Sequence, residues 1–355
     1  MKPNLLSRTL FTAAAATLVE GASGAPGWAL LPSGAKSNLR GVSAVSEQVV
    51  WSCGSSNTVL RTSNGGVTWT NLAPPAEGNG SLLDFRDVDA IDARTAYILS
   101  IGDGPLSRIY KTTDAGATWK LQFTNQDPKG FYDSMTFWDA DHGLVIGDSI
   151  DGHFQILITA NGGTTWTKVP GEVLPAALPN ESAFAASGSN IAVSGRDNAW
   201  IGLSALTKCR VLHTSDHGIT WSVVDTPVVA GESAGIFSVA FRDLNHGVVV
   251  GGDYKKEVQA SDNAAITEDG GKTWTLVKEK GLSGFRSAVK YVPGTKSSLV
   301  AVGPQGADRS EDDGKTWTPL ANPTGPANFH ALSFAPDGKV AWASGKDGKL
   351  GRLGL

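Results

Sequence analysis

Short apolar runs separated by glycine-rich polar turns recur along the whole chain. The clearest copies are 131–147 (FYDSMTFWDADHGLVIG) and 236–251 (IFSVAFRDLNHGVVVG), in which an apolar run, a charged turn and a second apolar run follow one another. Runs this short, bounded by turn residues, are typical of β-strands. Similar segments begin near Leu39, Phe85, Ser182, Phe285 and Phe329. The pattern therefore predicts seven repeating strand units.

An octapeptide of the form [S/T]-x-[D/N]-x-G-x-T-W follows six of these units. Its tryptophans are 50, 47, 55, 53 and 43 residues apart, which suits a four-stranded blade with loops of variable length. The hydroxyl and the Asp or Asn side chain can bond to nearby backbone amides, and the glycine permits a positive φ, so the octapeptide predicts a hairpin turn. The Asp or Asn positions are Asn64, Asp114, Asn161, Asp216, Asp269 and Asp312.

The seventh unit lacks an octapeptide and a fourth strand. It begins at Phe329 and ends with the chain at Leu355. Near the other terminus, residues 28–32 (WALLP) match the strand that follows each octapeptide, as in residues 69–74 (WTNLAP). Pairing this strand onto the last unit would remove an open sheet edge. We therefore predict an all-β fold, a seven-bladed propeller of four-stranded antiparallel blades over 26–355, closed by its N-terminal strand.

The composition fits this fold and narrows the classes of function. The chain has 355 residues with 43 glycines and 11 tryptophans, as many tight turns and regularly placed large side chains require. A net charge of −4 argues against a nucleic-acid partner, since proteins that bind nucleic acid carry a basic surface. Cys53 and Cys209 fall three blades apart, too far for a disulfide. We expect a monomer without a cofactor.

The first 25 residues indicate an export signal. Lys2 and Arg8 precede a mostly apolar stretch, and small residues follow up to Ala25. This order is typical of a signal peptide, with a frayed N-terminal helix as the alternative. Neither this stretch nor any later one has the roughly 20 apolar residues that a membrane span needs. We expect a periplasmic or extracellular protein.

The octapeptide resembles the Asp-box, also called the bacterial neuraminidase repeat. Asp-boxes in such propellers are structural turns on the face away from the usual binding site. Seven such blades with an export signal resemble the photosystem II stability and assembly factor family and its bacterial relatives. That resemblance implies a non-enzymatic scaffold that docks a protein partner.

A partner site is predicted at the opposite, axial face, where the innermost strand of each blade starts. A cluster of arginines there would suit a carboxylate, a phosphate or an acidic peptide. The alternative is that these residues are solvated strand ends. The second residues of the seven innermost strands are Arg40, Arg86, Asp133, Ser182, Phe237, Ser287 and His330, with Arg286 beside Ser287, and the loops after the second strands add Asp103, Asp148, Asp253 and Tyr254.

A glycan-binding or glycoside-hydrolase propeller is the second hypothesis. Sialidases and some glucanases use the same box, but no Arg-Ile-Pro segment and no recognisable catalytic tyrosine motif is present. A groove lined by exposed Phe131, Trp138 or Trp200 would favour this hypothesis. Arg40, Arg86 and Arg286 meeting a perturbed carboxylate in one pocket would favour an enzyme. The six histidines show no metal-ligand spacing, so no metal site is predicted.

Overall fold

Seven four-stranded antiparallel sheets form a ring of blades. The computed structural model describes residues 27–74, 82–321 and 326–355, so the predicted export signal lies outside the described residues. Six blades use four consecutive strands each, and blade seven adds the first strand of the chain. The predicted seven-bladed propeller is therefore confirmed. No helix of the described residues is long and apolar enough to cross a membrane.

The strands are numbered in chain order. Blade one consists of β2–β5, each of the next five blades takes the following four strands, and blade seven consists of β26–β28 with β1. Short 3₁₀ turns occur at Gly104–Leu106, Gly171–Val173 and Lys346–Gly348. The strands are β1 Ala29–Leu31; β2 Leu39–Ala44, β3 Val50–Gly54, β4 Thr58–Thr62, β5 Thr70–Asn71; β6 Asp84–Ala90, β7 Ala96–Ile101, β8 Arg108–Thr112, β9 Lys120–Thr124; β10 Tyr132–Phe137, β11 His142–Ile150, β12 His153–Ala160, β13 Thr167–Lys168; β14 Ile191–Ser194, β15 Asn198–Ser204, β16 Cys209–Thr214, β17 Ser222–Thr226; β18 Ala234–Phe241, β19 Gly247–Asp253, β20 Ala264–Thr267, β21 Thr275–Leu276; β22 Ala288–Tyr291, β23 Leu299–Gly303, β24 Gly306–Ser310, β25 Thr318–Leu320; β26 Phe329–Phe334, β27 Val340–Gly345 and β28 Leu350–Gly354.

The hydrophobic core lies between blades rather than within one. Each adjacent pair of blades encloses its own apolar cluster, so that seven clusters follow one another round the ring. The octapeptide tryptophans belong to these clusters. Trp119 of blade two packs edge-on against Trp51 of blade one, and Trp69 of blade one against Trp342 of blade seven. Each octapeptide therefore joins its blade to the preceding one.

The octapeptide turns share one hydrogen-bond pattern. In blade two, the Thr112 hydroxyl donates to Asp114 at 2.8 Å and accepts the Gly116 N–H at 2.9 Å. Asp114 also accepts the backbone N–H and the hydroxyl of Thr118, and these bonds lower the pKa of Asp114 to about 2. The same hydroxyl and carboxylate or amide bonds recur in the other five turns. These side chains therefore use their hydrogen bonds to stabilise the turn.

The chain termini close the ring as predicted. Strand β1 pairs antiparallel with β28, with Ala29 opposite Arg352 and Leu31 opposite Leu350. Trp28, just before β1, is 5% exposed, and its ring centroid lies 4.9 Å from that of Phe329. The first strand is thus held by both backbone pairing and an aromatic contact.

The two cysteines are separate core residues. Cys53 lies in β3 of blade one and Cys209 in β16 of blade four. Both are buried and free, which confirms that they form no disulfide.

We expect Trp28→Ala to lower the free energy of unfolding by about 3–5 kcal/mol, because it empties the apolar cluster between blades six and seven. Leu30→Ala on the same strand is the control, since Leu30 is 46% exposed. Urea unfolding measures both. Equal losses in the two variants would show that the aromatic contact does not hold the closure.

Candidate functional site

A β-bulge near the start of the innermost strand shapes the axial face. The pairing register shifts around Arg40, Arg86, Asp133, Phe237 and His330 in blades one, two, three, five and seven. A bulged residue leaves the ladder and has its side chain re-aimed. All five side chains line one cavity at the channel mouth, together with Ser182 and Ser287 from the remaining blades. The structure thus brings together all seven residues that the strand register selects.

Blade four departs from the predicted repeat at the same position. Ser182 pairs with Ser204, yet the regular strand resumes only at Ile191, opposite Ile201. The intervening residues 183–190, which we call the channel segment, form an enlarged bulge. The predicted start near Ser182 was therefore right, and the uninterrupted strand after it was wrong.

The channel segment crosses the central channel and bonds to several blades. Arg86 Nη1 donates to the Ala185 carbonyl at 2.8 Å, and Ser187 donates to the Ser287 carbonyl at 3.0 Å. The Ser189 hydroxyl donates to that of Ser238 at 2.8 Å. The channel is thereby divided into an axial cavity of about 450 Å³ and an inner chamber of about 170 Å³ on the other side.

The inner chamber is lined by the ionisable groups Asp87, Asp89 and Lys290. Burial raises the pKa of Asp87 well above its ordinary value and raises that of Asp89, while it lowers the pKa of Lys290. Asp87 accepts the Met135 N–H at 2.8 Å, and Asp89 accepts the Phe137 N–H at 3.0 Å. These carboxyls therefore tie the innermost strands of blades two and three together.

One wall of the axial cavity is cationic. Arg86 forms a bidentate pair with Asp84 at 2.9 and 3.0 Å, so its charge is compensated. Arg40 forms no ion pair among the described residues, and its buried Nε has no hydrogen-bond partner there. Burial and the charge of Arg86 lower the pKa of Arg40 to about 10, so the guanidinium stays protonated at neutral pH. Burial beside both arginines lowers the pKa of His330 to about 3, which keeps its ring neutral.

A second wall is acidic. Asp133 is 2% exposed, and its Oδ2 has no hydrogen-bond partner among the described residues. Burial, reinforced by Asp148, raises the pKa of Asp133 well above the ordinary value. Burial and nearby Asp103 raise the pKa of Asp148 to about 6, against a bond to Ser182 that lowers it. The cavity thus holds a carboxyl that titrates close to neutral pH.

The third wall is aromatic, and the strand pattern revealed only part of it. Phe184 of the channel segment stacks on Phe237 with ring centroids 3.9 Å apart. Phe285 and Tyr254 meet Phe237 edge-on at 4.6 and 6.1 Å. Phe184 was missed because it lies in the irregular segment. The predicted Tyr254 does line the cavity, and its side chain is 43% exposed.

Three predicted residues lie outside the cavity lining. Arg286 is 1% exposed and pairs with buried Asp308 at 2.6 Å; it precedes β22 and packs against β24, whereas its neighbour Ser287 lines the cavity. Asp103 is exposed to solvent and is not among the residues that line the axial cavity. Asp253 accepts the Ser233 hydroxyl at 2.7 Å and lines a separate cavity of about 260 Å³. Arg40, Arg86 and Arg286 therefore do not converge in one pocket.

The two tryptophans do not form the exposed aromatic groove that would favour a glycan function. Trp200 is fully buried, and its Nε1 donates to the Gly270 carbonyl at 2.8 Å. Half-buried Trp138 donates to the Asn198 carbonyl at 2.8 Å. Only Phe131 of the three lines the axial cavity.

Solved propellers resemble this chain in fold. No protein-family model and no curated protein sequence matches it. "YCF48 bound to D1 peptide" is similar at 18% identity and a TM-score of 0.65, over 92% of this chain and 97% of that one. YCF48 from Cyanidioschyzon merolae is similar at 18% and 0.67, over 93% and 99%. A GH74 xyloglucanase from Xanthomonas campestris is similar at 16% and 0.61, over 92% of this chain and 53% of that one. At these identities the likeness establishes the fold.

We expect Gly188→Ala to loosen the channel segment. Gly188 has a φ of +68°, and an added Cβ would lie 2.1 Å from Asp87 Oδ1. Gly34→Ala is the control, because Gly34 has a φ of +75° with nothing within 4 Å of the added atom. Left-handed strain costs about 1–2 kcal/mol at both sites, and the clash adds about 1–3 kcal/mol at Gly188 alone. Urea unfolding and hydrogen exchange over 183–190 measure this; equal costs would contradict the close packing.

Proposed function

We propose that the protein is an exported scaffold that binds a protein partner through the axial cavity. The cavity takes a peptide segment that presents a carboxylate to Arg40 and an apolar side chain to the aromatic wall of Phe184, Phe237 and Phe285. The observation that carries the proposal is this separation of cationic and aromatic walls in one cavity whose base is closed.

The cation that carries the interaction is Arg40. Its neighbour Arg86 already pairs with Asp84 and holds the channel segment, whereas Arg40 has no carboxylate partner among the described residues. A half-buried guanidinium without a carboxylate partner gains most from a bidentate carboxylate. The neutral His330 ring beside it can accept or donate one further hydrogen bond.

One resemblance supports a scaffold. The seven blades with Asp-box-like octapeptides resemble the photosystem II assembly factor family. YCF48, similar in fold, has been solved with a D1 peptide. The predicted export signal supports an interaction in the periplasm or outside the cell.

Glycan hydrolysis is the second candidate. It is favoured by the neighbouring Asp133 and Asp148, both with raised pKa values, and by the likeness in fold to a GH74 xyloglucanase. A general acid with a pKa near 6 suits glycosidic cleavage. The two candidates differ in their dependence on Arg40. Peptide binding requires Arg40 to recognise the carboxylate, whereas Arg40 has no assigned part in protonating a glycosidic oxygen.

We expect Arg40→Met to weaken peptide binding by about tenfold to a hundredfold, the loss of a charge-assisted hydrogen-bond pair. The probe is an array of acidic peptides with apolar neighbours, followed by fluorescence anisotropy on the best binders. Arg196→Met is the matched control, since Arg196 is exposed on the opposite face. Unchanged peptide affinity, or xyloglucan cleavage that Asp133→Asn abolishes, would overturn the scaffold proposal.

We expect acidic peptides to bind several-fold more tightly as the pH falls from 7 to 5. Asp148, with a pKa of about 6, takes up a proton in this window and stops repelling the ligand, whereas His330, with a pKa of about 3, stays neutral. Asp148→Asn should bind as wild type does at pH 5 and lose most of the pH dependence. A profile unchanged by this substitution would assign the effect to another group.

A further inference from the structure

Two histidines and a carboxylate meet on the face opposite the axial cavity. One possible ligand atom from each of Asp139, His142 and His217 lies within 4.8 Å of the others. The imidazole rings of His142 and His217 stack with centroids 4.4 Å apart and an interplanar angle of 21°. The ligands come from different blades, so the cluster straddles the junction of blades three and four.

The turn between β10 and β11 fixes the first two groups. Asp139 Oδ1 accepts the backbone N–H of Asp141 and of His142, each at 2.8 Å. The same turn brings His142 Nδ1 to 3.0 Å from both Asp139 oxygens. The carboxylate and the imidazole are therefore preorganised by backbone bonds.

His217 comes from the octapeptide turn of blade four. It occupies the fourth octapeptide position, with a φ of +57°, where three other copies have glycine. Its Nε2 is shielded from solvent and makes no hydrogen bond among the described residues, although Asp197 Oδ1 lies 3.4 Å away. An unsatisfied buried nitrogen is costly, and a metal ion is one partner that satisfies it.

We propose that Asp139, His142 and His217 bind one divalent transition-metal ion. Imidazole nitrogens with a carboxylate oxygen suit Zn²⁺ or Cu²⁺ better than Mg²⁺ or Ca²⁺, which prefer all-oxygen sites. The three side chains are 53%, 34% and 28% exposed, so they can contract to bonds of about 2.0–2.2 Å. Asp197 supplies a second carboxylate beside His217, and solvent can reach the remaining position.

Blade five provides an internal comparison. Its turn repeats the first pair, with His246 Nδ1 also 3.0 Å from both oxygens of Asp243. The facing octapeptide of blade six, however, offers Asp313 instead of an imidazole. Arg242 binds both Asp243 and Asp313 there, whereas the matching residue in blade three is the uncharged Trp138. The metal site therefore depends on two local departures from the repeat, Trp138 and His217.

Titration of tag-free full-length protein with Zn²⁺ by calorimetry tests the proposal. We expect one ion per chain with micromolar or tighter affinity and a raised melting temperature. His217→Gly should weaken binding at least tenfold and cancel the thermal shift, while the apo protein melts at or above the wild-type temperature because glycine suits the positive φ. His142→Ala should also weaken binding at least tenfold.

His246→Ala is the matched control and should leave Zn²⁺ binding unchanged. The proposal is overturned if wild type binds no Zn²⁺ in this range, if binding survives both His217→Gly and His142→Ala, or if His246→Ala removes it equally.

Discussion

No blade can bury its own apolar faces, and this constraint governs the molecule. A four-stranded sheet exposes two faces, and seven apolar clusters here each lie between two adjacent blades, so each blade is stable only with neighbours on both sides. The ring must close, and β1 supplies the strand that the C-terminal blade lacks. The octapeptide turns serve the same constraint, since their tryptophans pack on the preceding blade.

Ring closure also explains why candidate functional side chains from different blades lie close together. Seven strand starts converge on one rim, and in five blades a bulge near the start of the innermost strand turns side chains such as Arg40, Asp133 and Phe237 toward the axis. Single residues on separate blades thereby become neighbours. On the opposite face, the junction of a strand turn with the next blade's octapeptide brings His142 beside His217 by the same logic.

The sequence repeats predicted the fold and most of the residues that line the axial cavity, but not the irregular parts of the two sites. The octapeptide spacing predicted the blade count, the short match at Trp28 predicted closure, and alignment of strand starts predicted all seven lining positions. Arg286 was misplaced because it directly precedes the lining residue Ser287 but pairs with buried Asp308 instead. Phe184 and the Asp139–His142–His217 cluster escaped notice because an irregular segment and an inter-blade junction leave no periodic signal in one sequence.

The enlarged bulge of blade four shows where this architecture tolerates inserted residues. A bulged residue is already unpaired, so lengthening the chain there disturbs only one or two ladder bonds, as the flanking pairs Ser182–Ser204 and Ile191–Ile201 show. The five blades with a single bulged residue offer comparable points of growth facing the axis. The depth and lining of the cavity can therefore evolve one blade at a time by insertion, independently of the turns and tryptophans that keep the ring together.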